Sequence, residues 1–198
     1  MGQSKLTPLN PFNLFSEWFE EAKKHESEFP EAMTIASVSE EGIPSLRVVL
    51  MKDFSSKGFV FYTNFKGQKG QEILKNPNIC LNFHWKTLQK QVRITGVAVP
   101  LTAEIADQYF ASRPRVSQLG AWASKQSQEM PDRFSLEKRL ATYTAKFGIG
   151  AIPRPPFWSG FCVVPKKIEF WRELPFRLHE RVLYVLSEEE WVPHRLFP

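Results

Sequence analysis

The stretch "SLRVVLMKDFSSKGFVFYTNF", residues 45–65, decides the architecture. Its two halves are filled with β-branched and aromatic residues, and the polar "SSKG" between them reads as a turn. It is therefore a hairpin, with 45–54 against 59–65. Upstream, "MTIASVS" (33–39) and the turn "EEGIP" add another strand. Downstream, "ICLNFHW" (79–85) and "KQVRITGVAVPL" (90–101) make a second hairpin. "GFCVVPKKIEFW" (160–171) and "RLHERVLYVLS" (177–187) read as two last strands.

Helical patterns lie between the strands. Asn10-Pro11 is an N-cap followed by a first-turn proline, and Phe12, Phe15, Trp18 and Phe19 recur at helical spacing after it. "KGQKGQEILKN" (66–76) is a short helix stopped by Asn76-Pro77. "AEIADQYFASR", capped by Thr102, ends before Pro114, which opens "PRVSQLGAWAS". "SLEKRLATYTAKFG" is the last helix, with Gly148 as its C-cap. Roughly six to eight strands without strand–helix alternation predict a mainly β fold, an antiparallel barrel with added helices. The 198 residues suit a single domain, 1–198.

Composition narrows the function. Hydrophobic residues make up 42% and charged residues 24%, as in ordinary globular chains. The net charge is +5, but the basic residues are dispersed, which argues against nucleic acid and suits small phosphorylated ligands. Cys80 and Cys162 sit in apolar runs and read as buried free thiols in a reduced compartment. There is no CxxC or HExxH spacing for a metal. Residues 1–10 lack an apolar leader region, Gly2 is not in a myristoylation context, and no stretch is long enough to span a membrane. These features predict a cytoplasmic protein.

Several clusters could carry chemistry. Arg47 and Lys52 bracket an apolar run and, five apart, face opposite ways in a straight strand. Tyr62-Thr63-Asn64 ends a strand, and Lys69 lies in the first turn of the next helix, where free N–H groups favour phosphate. Tyr109 and Arg113 are one helical turn apart, and Ser117 follows in a new first turn, so the three can converge on one phosphate. Gln126 and Ser127 offer amide and hydroxyl groups. In "FRLHERVLY" (176–184), Arg177, His179 and Arg181 alternate, so a strand places them on one face. Their mutual repulsion calls for something negative or electron-rich among them, which the local sequence does not name. With no strong nucleophile, such a site points to a cofactor that carries the reaction.

These strings identify a family. "RVVLMK", "FYTNFKGQKGQE", "QVRITG", "YFASRPRVSQLGAWASKQS", "FWSGF", "IEFW" and "RLHER" resemble, in order, the motifs of the pyridoxine (pyridoxamine) 5′-phosphate oxidases. The resemblance runs from about residue 10 to the final "RLFP". It implies a homodimer of FMN-binding split β-barrels, with FMN at the interface and residues 157–198 forming the dimerisation and substrate strands. It implies oxidation of pyridoxine or pyridoxamine 5′-phosphate to pyridoxal 5′-phosphate, with oxygen as acceptor and hydrogen peroxide as product.

Carried over by position, FMN contacts fall on Arg47, Val48, Val49, Leu50, Met51, Lys52, Tyr62, Thr63, Gln68, Lys69, Gln91, Gln126, Ser127, Trp171 and Arg181. Lys52, Tyr109, Arg113 and Ser117 would hold the substrate phosphate. Arg177, Leu178 and His179 would lie over the pyridine ring, with Arg177 and His179 as the catalytic pair. The chain departs from the family at Gln68, where many members carry a second basic residue, and it begins too late for the N-terminal arm that some members close over the substrate. The nearest alternatives are a related flavin oxidase acting on a phenazine-type substrate and a non-catalytic FMN or pyridoxal-phosphate carrier.

Overall fold

The computed structural model describes residues 10–198; the leader and lipidation readings fall on residues 1–9, outside the described residues. The deciding stretch folds as a broken hairpin. It contains β2 (Pro44–Leu50), β3 (Asp53–Ser55) and β4 (Gly58–Asn64). The expected single strand 45–54 divides at Met51-Lys52. There the Met51 N–H donates to Glu31 O at 2.9 Å, whereas the Lys52 N–H donates to Val60 O at 2.8 Å. The chain thus leaves one neighbour and joins another within two residues.

That hand-over closes the barrel. β1 (Ala32–Val38), β5 (Asn78–Trp85), β6 (Lys90–Pro100) and β7 (Trp158–Arg172) complete an antiparallel path in the order β2-β1-β5-β6-β7-β4-β3. Its two ends, β2 and β3, are consecutive in the chain, so the sheet curls back on itself. Inward-facing Met33, Ile35, Phe59, Phe61, Leu81, Phe83, Val92, Ile94, Phe161 and Val163 fill the interior. Helix α1 (Pro11–His25) covers it: Asn10 Oδ1 accepts from the Phe12 N–H at 3.0 Å, and Phe15 is fully buried.

β7 is the long member, and its edges explain the split. One edge carries β6. The other carries β4 opposite residues 158–163 and β8 (Glu180–Ser187) opposite residues 167–172. Pro165 is tolerated because the β6–β7 register shifts beside it, at Thr95/Gly96. Gly96 is needed there, since a Cβ would sit 2.3 Å from Val164 O.

Two sequence expectations fail at the C-terminus. The final strand begins at Glu180, not Arg177: Pro175 opens a short 3₁₀ turn, Pro175–Arg177, in which Phe176 and Arg177 have φ of 59° and 60°. A further strand, β9 (Glu190–Leu196), pairs with β8 and was not expected. Its turn is built from Glu188 and Glu189 in left-handed conformations rather than from Gly or Asn, and Pro193 sits in an edge strand. The cysteines also differ from expectation: both are free, but Cys80 is exposed and Cys162 only half-buried. Cys80 lies on the outward face of β5, so an apolar run did not mean burial on both sides.

Helices α2 (Gln68–Lys75), α3 (Ala103–Ser112), α4 (Arg115–Ala123) and α5 (Ser135–Phe147) agree with the sequence, although the Thr102 side chain makes no cap hydrogen bond. A second small core of Phe110, Leu119, Ile152 and Trp158 lies under them. Among the described residues no helix is long and apolar enough to cross a membrane.

Candidate functional site

A cavity of about 690 Å³ opens between the barrel and helices α3 and α4. It brings together Val48, Val49, Leu50, Lys52, Tyr62, Thr63, Lys69, Tyr109, Arg113, Ser117 and Gln126 from the sequence-derived set. Lys52 has the same strand parity as Val48 and Leu50, which also line the cavity, whereas Arg47, of the opposite parity, does not.

The cationic end of the cavity is built at the β4–α2 junction. Asn64 Oδ1 accepts from the Lys66 N–H at 2.8 Å and Asn64 O from the Gly67 N–H at 3.1 Å, turning the chain directly into the helix. Gly70 is packed so closely that a Cβ would lie 2.6 Å from Asn64 O. Lys69, in the first turn, donates to Gln126 Oε1 at 2.9 Å, and the Thr63 hydroxyl donates to the same oxygen at 3.3 Å. Burial, then the nearby Arg47 charge, lowers the Lys69 pKa, with Glu72 opposing. A cation in a first helical turn, short of a partner charge, suits a phosphate.

The opposite wall is aromatic. The Tyr62 and Tyr109 rings stack at 3.9 Å and 12°, and Trp158 continues the stack at 5.3 Å from Tyr62. The Arg113 guanidinium lies 4.7 Å from the Trp158 ring centre. Its Nη1 is buried with no hydrogen-bond partner, although buried donors are nearly always paired. Burial lowers the pKa of Arg113 and raises that of Tyr109, so the phenol keeps its proton at neutral pH. The buried Gln118 amide fixes the bend at Pro114 by donating to Phe110 O, Ala111 O and Arg113 O at 3.0–3.1 Å. Sequence reading missed Trp158 and Gln118. The "SRPRVSQ" string held the second signal, an amide placed just after a helix end.

A second cluster lies elsewhere. Gln91, Trp171 and Arg181 are direct cross-strand partners on β6, β7 and β8, so their side chains leave one face in a row. The His179 ring is 4.9 Å from that of Trp171, and His179 Nδ1 accepts from the Leu174 N–H at 3.3 Å. Leu178 and Arg177 follow the turn outward and are exposed. The alternation expected for Arg177, His179 and Arg181 therefore does not exist, because positive φ at Arg177 breaks the strand. Arg181 has a protein carboxylate beside it: its Nε donates to Glu169 Oε1 at 2.8 Å and its Nη1 to Phe197 O at 3.0 Å.

The two clusters are far apart in one protomer. Tyr62 pairs with Gly160 on β7, and Trp171 lies eleven residues further on, roughly 35 Å along the strand. Four sequence-derived residues join neither cluster. Met51 is buried in the core. Ser127, at φ 68°, lines a neighbouring cavity. Arg47 and Gln68 are both engaged by the Glu72 carboxylate, at 3.3 and 2.9 Å.

Comparison with known proteins gives concordant results. A family model described as pyridoxamine 5′-phosphate oxidase matches residues 19–147, and one described as the pyridoxine 5′-phosphate oxidase C-terminal dimerisation region matches residues 158–198. A Caulobacter vibrioides protein named pyridoxine/pyridoxamine 5′-phosphate oxidase is 54% identical over 193 residues, 98% of this chain and 87% of that one. A Bartonella quintana protein of the same name is 53% identical, covering 95% of this chain and 92% of its own. Among solved structures, PhzG from Burkholderia lata, in complex with tetrahydrophenazine-1-carboxylic acid, superposes with a TM-score of 0.91 at 29% identity, covering 98% and 95% of the two chains.

Proposed function

The chain belongs to the pyridoxamine 5′-phosphate oxidase family, and from that premise we propose that it is an FMN-dependent oxidase of pyridoxine and pyridoxamine 5′-phosphates. The product is pyridoxal 5′-phosphate. Bound FMN would accept the two electrons of the oxidation and deliver them to oxygen, giving hydrogen peroxide. The reading covers the whole chain as one domain, 1–198, with the strands of 157–198 serving dimerisation and substrate binding.

One observation carries the reading: Arg113, whose Nη1 is buried without a partner, lines a cavity that also presents Lys52, Tyr109 and Ser117. Two cations and two hydroxyls match a phosphate monoester, which brings the missing acceptor oxygens. Lys69, Thr63 and Gln126 supply a second polar set that fits FMN, with the Val48–Leu50 backbone beside it. The Tyr62–Tyr109–Trp158 stack keeps water from that wall and holds Arg113 in place.

The separation of the two clusters supports a homodimer in which Gln91, Trp171, Arg177, His179 and Arg181 of one protomer complete the cavity of its partner. Phe176, Leu178 and Phe197, beside that cluster, are 92%, 66% and 94% exposed, more apolar surface than an isolated protomer favours. Arg177 then orients the substrate ring and holds its reacting substituent near the cofactor, a proximity effect. His179 receives a backbone N–H on Nδ1, so its neutral ring carries the proton on Nε2. It therefore donates a hydrogen bond to the substrate rather than removing a proton.

The test is an absorbance spectrum of the purified protein supplied with FMN, followed by anaerobic addition of pyridoxine 5′-phosphate. Uptake of flavin and bleaching of its visible band are expected. A protein that takes up no FMN overturns the reading. Bleaching only by an unphosphorylated tricyclic substrate would replace the B6 assignment with the phenazine-type one.

A further inference from the structure

Glu72 is the most fully engaged carboxylate near the cavity, and it lies on the cavity's anion-binding helix. It is 8% exposed. Its Oε2 accepts from the Ser37 hydroxyl at 2.5 Å, the Ser45 hydroxyl at 2.7 Å and Arg47 Nη2 at 3.3 Å, and its Oε1 accepts from Gln68 Nε2 at 2.9 Å. Burial alone would raise its pKa, but the hydrogen bonds from Ser37, Ser45 and Gln68, with the Arg47 charge, bring it down to about 2. It is a permanent anion at neutral pH.

The same network uses up Arg47. Its Nη1 donates to the Ser37 hydroxyl and to Ser45 O, at 3.1 Å for the latter, and its Nη2 donates to the Ser45 hydroxyl at 2.6 Å and to Glu72. A guanidinium has four η hydrogens, and here each has an acceptor inside the protein. Arg47 accordingly does not line the cavity, although its charge is felt by Lys69, which does.

We propose that Glu72 is an internal competitor of the cofactor phosphate: it holds Arg47 in a serine-lined cage and so sets how tightly the phosphate end of the flavin nucleotide binds. The inference rests on the FMN reading. Glu72 touches no ligand in this scheme and is a positioning residue, acting through Arg47. A phosphate at Lys69 and the α2 N-terminus draws on Arg47 only by breaking contacts with Glu72, Ser37 and Ser45. The carboxylate also cancels part of the positive potential there.

The experiment compares FMN with riboflavin, the same ring without the phosphate, by fluorescence titration of wild-type protein and the Glu72→Gln variant. The glutamine keeps shape and an acceptor oxygen but loses the charge. FMN should bind roughly three- to tenfold more tightly to the variant, the scale of one removed partly screened charge, and riboflavin affinity should not change. Ser45→Ala, which cuts one strand of the cage and leaves Glu72 charged, should shift FMN in the same direction by less, and serves if Glu72→Gln fails to fold. Weaker FMN binding in the variants, an unchanged ratio, or a parallel change for riboflavin overturns the proposal. Wild-type protein that binds no FMN sinks the underlying reading and this inference with it, whereas normal binding with an unchanged ratio sinks the inference alone.

Discussion

Arg113 shows how a residue's chemistry can be read from sequence while its environment cannot. Its place one turn after Tyr109 and just before Pro114 marked it as a phosphate ligand; only the folded chain shows that Nη1 is buried beside Trp158 with no partner. An unsatisfied buried donor costs stability until a ligand arrives. Arg113→Ala should therefore leave the melting temperature of the ligand-free protein nearly unchanged. It should raise KM for pyridoxine 5′-phosphate roughly ten- to hundredfold with kcat within about threefold, because phosphate binding is common to ground and transition states. Steady-state kinetics and a thermal melt check both. Gly67 makes a steric point instead. Its φ of −76° suits any residue, but a Cβ would lie 2.6 Å from Gln126 Oε1. Gly67→Ala should displace the Gln126 amide from Lys69 and Thr63 and weaken FMN binding by about 1 kcal/mol, roughly fivefold in Kd, in a fluorescence titration. Gln68 and Glu72 are four apart on one helix, a pairing that sequence can show, whereas the meeting of Glu72 with Ser37, Ser45 and Arg47 comes only through the fold.

At the scale of elements, local chemistry located nearly every helix and most strands. Proline and capping signals are contained within a few residues, and they placed α1 to α5 correctly. The failures lie where a strand's ends are set by its neighbours. The break between β2 and β3 is a change of hydrogen-bonding partner, and β9 depends on β8 for its pairing. Helix α1 shows the energetic link between elements. Phe15 meets the rings of Phe54, Phe59 and Phe83 at 4.8, 4.9 and 5.1 Å, so one helix residue joins β3, β4 and β5. Phe15→Ala should cost about 3–5 kcal/mol in urea unfolding, the range for a large core aromatic replaced by a cavity. A loss under about 1 kcal/mol would mean that α1 is not part of the barrel's cooperative core.

For the whole molecule, the decisive fact is that the cavity and the Trp171–His179–Arg181 cluster sit on different regions of one protomer. If each site uses both, two impaired variants should rescue each other when assayed at substrate far below the raised KM, where activity follows kcat/KM. Arg113→Ala impairs the cavity half and Arg177→Ala the C-terminal half. Unfolded together and refolded as a mixture, half the dimers are mixed, and each mixed dimer carries one intact site. Activity should recover to roughly a quarter of wild type under a two-fold symmetric arrangement. No recovery above the separate variants, with dimers demonstrated by light scattering, would place both halves of the site in one protomer. The sequence by itself determined the β class, the helices and the family, because alternation, capping and short motifs are written in contiguous residues. Only the tertiary structure decided that β2 and β3 close the barrel at Met51-Lys52, that Glu72 holds Arg47, that Glu169 holds Arg181, and that the cavity and the Trp171 cluster lie apart. Each of these is a contact between residues distant in the chain, fixed by strand register and burial, and neither quantity is a property of any short segment.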